Sequence, residues 1–417
     1  MQPTVIIPTF WTRRRSRAAT ARSRAVYDHP TPIDEDGTLP ECLRSLEPVE
    51  GLGRVVVVVA ADEAAIQHAA EDRVRELLSE HPGIDSVVFG SAEMGSLHRR
   101  MEQFEFADMI GGVNLDGYGR VRNVALMAAA VLGSEVIVFV DDDQVVTSGA
   151  FLSVGMEGMG ESSPSGRPVL AKSGYYVDER GGCTVAGRAR WCDALWRQDE
   201  AFDRAVRQMV AAPRLKPGPL AFGGCMALHR DMYCNVPFDP WVGRGEDIDY
   251  VINVQMHGGD MFTDAGWSIA HCAPEVASEA VRFRQDVFRF VYAHRKIEFS
   301  KSQVDLRQVT AESLMPYPGM FVDSSVGHRA RITAALRAVA GPERGAYARI
   351  ARTVVGEAQS YAVEHCELYF AFQRRWPMLM DRLWEDIALK PILTGERRID
   401  RGALTGRFPV IRDDRAR

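Results

Sequence analysis

The chain has 417 residues, 46% hydrophobic and 25% charged, with 56 acidic residues against 50 basic ones and a net charge of −6. That balance fits a globular protein and argues against nucleic acid as a partner, because no overall basic field is present. The seven cysteines form no C-x₂-C pair, which excludes a disulfide framework or structural zinc site as the organising device and points to a reducing cytoplasm.

The length exceeds that of an ordinary single domain, so one large domain with an appended region is expected. Val5-Ile6-Ile7 reads as a first strand stopped by Pro8-Thr9, entered too early for a signal peptide. Residues 11–37 lack apolar periodicity and crowd Arg13, Arg14, Arg15, Arg17, Arg22 and Arg24 ahead of Asp34, Glu35 and Asp36, the pattern of a long loop. A helix over 39–46, a buried strand over 55–59 ending near Asp62, a helix over 64–78 and a strand over 86–89 follow. Next come a helix over 120–132 and a buried strand from Glu135 that ends in Asp141-Asp142-Asp143. This alternation predicts an α/β fold with a mainly parallel sheet flanked by helices.

Beyond residue 146 the pattern changes. A short strand region is expected from 169–172 and 174–177, a helix over 191–210, an extended run over 220–228 containing Gly223-Gly224, and a short strand over 267–271. After residue 277 helices are expected over 279–299, 329–339, 346–372 and 377–387, Pro377 opening the last. The expected units are residues 1–277, divided into a nucleotide-binding half (1–145) and an acceptor half (146–277), and a helical region, 278–417. No apolar run reaches the roughly 20 residues that span a bilayer.

Three adjacent carboxylates at a strand's carboxyl end repel one another unless a cation joins them. Mg²⁺ or Mn²⁺ does so using one or two protein carboxylates and substrate phosphates, and ligands of open α/β sheets gather at that edge. Further candidates lie at Arg122-Asn123, at Glu246-Asp247 after Gly243-x-Gly245, and at His271. His98, His229 and His257 are read as structural, and Trp191 and Trp196 as core.

In this order, Val5-Ile6-Ile7-Pro8-Thr9-Phe10, Gly119-Arg120-Val121-Arg122-Asn123, Phe139-Val140-Asp141-Asp142-Asp143 and Gly243-Arg244-Gly245-Glu246-Asp247 resemble the motifs of GT-A nucleotide-sugar glycosyltransferases, family 2-like members most closely. The resemblance covers about residues 3–275. It implies transfer of a hexose from a UDP- or GDP-linked donor to a hydroxyl-bearing acceptor, with Mn²⁺ or Mg²⁺ as cofactor. It further implies Asp143, Asp141 and His271 as metal ligands and Asp247 and Glu246 as catalytic carboxylates, Asp247 being the base of an inverting displacement. Pro8, Thr9, Asp62, Arg122, Asn123, Asp141, Asp142, Gly224 and Trp241 would then bind the nucleotide sugar, Arg122 through phosphate oxygens at a helix start.

Two features depart from the family pattern. The 11–37 loop is long, and its arginines suit a lid closing over the diphosphate. The helical region after 277 carries aromatic and basic residues over 282–292, suited to packing on the catalytic domain, an acceptor gate, a homodimer contact or an anionic lipid surface. A retaining glycosyltransferase, a sugar nucleotidyltransferase and a non-catalytic nucleotide- or metal-binding scaffold are the competing readings.

Overall fold

The computed structural model describes residues 2–13, 30–178, 181–183, 190–271 and 278–396. Its strands are β1 (Thr4–Thr12), β2 (Thr31–Pro32), β3 (Val55–Ala61), β4 (Ser86–Phe89), β5 (Val136–Phe139), β6 (Gln144–Val145), β7 (Ala171–Val177), β8 (Leu215–Pro217), β9 (Met226–His229) and β10 (Met261–His271). They form one sheet in the order β4-β3-β1-β5-β9-β7-β10-β6, with β2 beside β1 and β8 beside β10. The first half is parallel, β9 runs antiparallel to β5 and β7, and β7 pairs parallel with β10. The fold is thus α/β, a mixed sheet flanked by helices.

Alternation along each strand sends successive side chains to opposite faces. Val55, Val57 and Val59 enter one core cluster while Val56 and Val58 enter another, and all five are fully buried. The helices after 278 do not form a core of their own. Phe283, Val287 and Phe290 of the Glu279–Ser300 helix share a cluster with Val5 and Val57, and Phe372 and Trp376 join the opposite one.

Several expected boundaries shift. β1 does not stop at Pro8. Ile6 meets the β5 side through its carbonyl, which accepts from Val140 N at 3.0 Å, and β5 pairs no further than Ile6. Pro8 points to that same side, where no partner strand needs its missing N–H. Trp11 and Thr12, expected in the loop, belong to β1, and residues 14–29 of the loop lie outside the described residues.

The extended run expected over 220–228 is a strand only from Met226. Cys225 N donates to Phe222 O at 2.9 Å, closing a turn around Gly223-Gly224. The strand region expected from 169–172 and 174–177 is β7, and a helix over Ser91–Gln103 stands where no element is expected from the sequence. Pro377 starts no new helix but lies inside Val355–Leu383. A proline inside a helix costs roughly 3 kcal/mol, and the fully buried Trp376, Leu379 and Met380 pack on either side of it. Among the described residues no helix is long and apolar enough to cross a membrane.

Candidate active site

Strand pairing brings distant segments to one edge of the sheet. Because β9 is antiparallel to β5 with Met226 opposite Phe139, the Gly223-Gly224 turn before β9 lies beside Asp141-Asp142-Asp143 after β5. The pairing of β6 with β10 sets His271 opposite Gln144, so the imidazole reaches Asp143, with Nε2 3.3 Å from Oδ2. The helix Glu246–Met256 begins at the same place. Its N-cap Gly245 has φ +74, a left-handed conformation that glycine adopts without strain, and a Cβ there would collide with Arg289.

The three aspartates have three separate surroundings. Asp142 accepts from Thr9 Oγ1 at 2.6 Å, joining the ends of β1 and β5. Burial, helped by the charge of Asp143, pushes its carboxyl up to about 8. Asp141 accepts from Arg122 Nη2 at 3.0 Å through Oδ1 and from Tyr176 Oη at 3.2 Å through Oδ2. Burial raises its pKa, and Arg122 opposes that rise. Asp143 faces His271. Burial disfavours the imidazolium, yet the hydrogen bond and charge of Asp143 raise the His271 pKa above its ordinary value.

Asp143 and His271 supply one carboxylate and one imidazole, a donor pair that suits a divalent ion taking its remaining ligands from water and diphosphate. Among the described residues no group of three or more His, Cys, Asp or Glu comes together to hold a metal. Asp141 stands beside this pair with its oxygens hydrogen-bonded to Arg122 and Tyr176.

The Gly119–Asn123 motif also has a different use from the expected one. Arg122 and Asn123 sit inside the helix Tyr118–Leu132 rather than at its opening, and both are buried. Arg122 donates from Nε to Glu246 at 3.2 Å, from Nη1 to Gly223 O at 3.0 Å and from Nη2 to Asp141. Each of its three nitrogens thus has a protein acceptor. Asn123 donates to Phe238 O at 3.0 Å and accepts from Phe238 N at 2.9 Å, so it is a backbone clamp and not a nucleotide ligand. A Cβ on Gly119 would sit 2.3 Å from Asp239 O. The motif docks its helix onto residues 238–246 and sets the position of the acidic turn.

Glu246 is only 7% exposed and bonds Arg122, which makes it a positioning residue rather than a group facing substrate. Asp247 is half-buried. Its Oδ1 accepts from Ile248 N at 2.8 Å and its Oδ2 from Gly223 N at 3.2 Å. Burial drives Glu246 up to about 7, with Arg122 pulling the other way. The folded protein thus holds that proton above pH 4.5, so Glu246 contributes stability below about pH 4.5 that is lost as pH rises through about 7. Glu246→Gln should flatten this dependence, gaining on the parent by up to about 3 kcal/mol between pH 5 and pH 8. Urea midpoints of both proteins at the two pH values measure it, and equal changes would contradict the assignment.

Two residues of the site were not singled out from sequence. Tyr176 accepts from Gly224 N at 2.8 Å while donating to Asp141, and burial holds its phenol well above the ordinary value. Gln144 accepts from Asp141 N at 3.1 Å. A Cβ on Gly224 would lie 2.2 Å from Gln144 Nε2 and 2.6 Å from Asp141 Oδ2, so glycine there permits the close approach. The signal for Tyr176 was its place near the end of a predicted strand; Gln144 had none beyond adjacency.

The other candidates occupy varied places. Pro8 is buried in β1, and Asp62 accepts from Thr12 Oγ1 at 2.6 Å just past β3. Trp241 packs edge-on to Phe372, their centroids 6.2 Å apart, which ties it to the C-terminal helix. Arg13 pairs with the exposed Glu63 at 3.3 Å; Arg14, Arg15, Arg17, Arg22 and Arg24 lie outside the described residues.

No family model matches the chain, and no curated protein does. Among solved structures, a mannosyltransferase from Pyrobaculum calidifontis in complex with GDP-Man and Mn²⁺ superposes with a TM-score of 0.44 at 16% identity, covering 93% of this chain and 88% of the other. A mycobacterial protein superposes at 0.38 with 18% identity, covering 70% and 74% of the two chains. Glucosyl-3-phosphoglycerate synthase from Mycobacterium tuberculosis, in complex with Mn²⁺ and UDP-glucose, does so at 0.35 with 15% identity, covering 68% and 74%.

Proposed function

We propose that this chain is a metal-dependent glycosyltransferase that moves a hexose from a nucleoside-diphosphate donor onto a hydroxyl-bearing acceptor. The observation that carries the reading is the convergence of Asp143–His271 and Asp247 around the Gly223-Gly224 turn. Asp143 and His271 would hold Mn²⁺ or Mg²⁺, which when bound takes up the charge of a departing diphosphate. The residues of the chain do the rest. Thr9 and Asp142 close the edge of the sheet between β1 and β5, on the side where a nucleoside would lie.

Tyr176 fixes the Gly224 N–H and Asp141 together, and Arg122 fixes Asp141 to Glu246. Two backbone N–H donors orient the Asp247 carboxylate, which takes the proton of the acceptor hydroxyl as the new glycosidic bond forms. Direct displacement by that oxygen inverts the anomeric carbon. Proton NMR of the first product should therefore show a β-linkage from an α-donor, and an α-linkage would remove Asp247 from the base role.

Donor turnover with UDP- and GDP-hexoses, with and without Mn²⁺, tests the class. Release of UDP or GDP that requires the metal is expected, and Asp143→Asn should raise the Mn²⁺ concentration needed by at least about tenfold. Release of pyrophosphate would instead make the chain a nucleotidyltransferase, and no release a scaffold.

A further inference from the structure

The helices Glu279–Ser300, Val326–Ala340 and Val355–Leu383 enclose an open-sided cavity of about 520 Å³, separate from the residues around Gly223-Gly224. That is the size of a small-molecule site. His294 and Arg295 reach it from the first helix and His328 and Arg331 from the second, while Val326 and Val363 provide apolar wall; no carboxylate lines it.

The cations here differ from their neighbours. On the same helices Arg289 pairs with Asp286, Arg329 with Asp323 and Arg337 with Asp193. Arg295 and Arg331 have no ion-pair partner among the described residues, and Arg295 Nε is buried without a hydrogen-bond acceptor. His294 Nδ1 is engaged by Val322 O at 2.9 Å, which fixes the ring and leaves Nε2 to other partners.

We propose that this cavity is a second binding site, for a small soluble phosphate ester or diphosphate, with Arg295 and Arg331 gripping the phosphoryl oxygens and His294 and His328 at their side. Guanidinium groups suit that task because their donors match two phosphate oxygens at once. The apolar wall at Val326 and Val363 receives the organic part of the ligand. The site needs no metal and does not depend on the glycosyltransferase reading.

Calorimetric titration with sodium pyrophosphate in chelator tests it, since chelator removes metal-assisted binding at the donor site. The full chain and Asp143→Asn should bind alike and saturably, whereas Arg331→Gln should bind at least about tenfold more weakly. Arg331 is exposed, so this variant should keep the parent's melting temperature without ligand. Arg295→Gln should weaken binding as well. The proposal is overturned by absence of saturation up to roughly 10 mM, by unchanged affinity in Arg331→Gln, or by loss of binding in Asp143→Asn. Cosedimentation with phosphatidylglycerol vesicles without pyrophosphate binding would also overturn it, in favour of a membrane contact.

Discussion

Asp247→Asn is expected to lower kcat by about 10²–10⁴-fold, the usual worth of a positioned general base, with little change in donor KM. The reason lies in the two sides of that carboxylate. Oδ1 and Oδ2 each accept one backbone N–H, from Ile248 and Gly223 respectively, which aims the remaining lone pairs away from both. An amide keeps the shape but has no basic lone pair to take a proton. It also sets its NH₂ against one of the two backbone donors, a mismatch worth about 1–3 kcal/mol, so the urea midpoint should fall modestly. Steady-state kinetics with saturating acceptor decides the matter. A kcat within about threefold of the parent would show that another group carries the proton.

The second large effect concerns stability. Lys296 is fully buried, and its ammonium lies 2.7 Å from Asp239 Oδ2, 2.7 Å from Asp249 Oδ2 and 2.9 Å from Asn253 Oδ1. Burial works against its charge, but Asp239 and Asp249 raise its pKa above the ordinary value. One cation thus serves two buried carboxylates. Burial pushes Asp249 up to about 6 despite Lys296, while Tyr292 Oη and Trp241 N donate to Asp239, each at 2.9 Å. Lys296→Met should destabilise the chain by about 3–5 kcal/mol, because it strands both carboxylates in the core. Adding Asp249→Asn should recover part of that loss by removing one of the anions. Equilibrium urea unfolding of the three proteins reads both numbers, and a loss below about 1 kcal/mol would mean that water reaches the network. Asp239 and Asp249 flank the Gly243–Asp247 turn, so this pairing also ties the C-terminal helix to the acidic end of the site.

That coupling marks the boundary of what was legible in the sequence. Lys296 is one lysine on an amphipathic helix, and nothing in its local pattern announces two aspartates some 47 and 57 positions earlier, a separation only the fold closes. Arg122 shows the same limit in another way. Its residue type and place near a helix start suit a phosphate, yet the close approach of Gly119 to Asp239 O draws it against Glu246 and Gly223, where each accepts one of its N–H groups. The D-x-D resemblance implies Asp141 as a metal ligand beside Asp143, and local sequence does not disclose that Arg122 and Tyr176 hydrogen-bond its two oxygens.

By itself the sequence determined the strands and helices whose apolar period is long and uninterrupted, such as Val55–Ala61 and Tyr118–Leu132, because burial of a repeating face does not depend on distant partners. It likewise set Asp141-Asp142-Asp143 at a strand's carboxyl end. The resemblance already implied Asp143 near His271, but tertiary structure alone decided how the two meet, that Asp142 bonds Thr9, and that the C-terminal helices share the core of the sheet. Those outcomes follow from strand order and register, above all the antiparallel β5–β9 and β6–β10 pairs. Register is a competition among whole-chain packings, and no local stretch of residues encodes it.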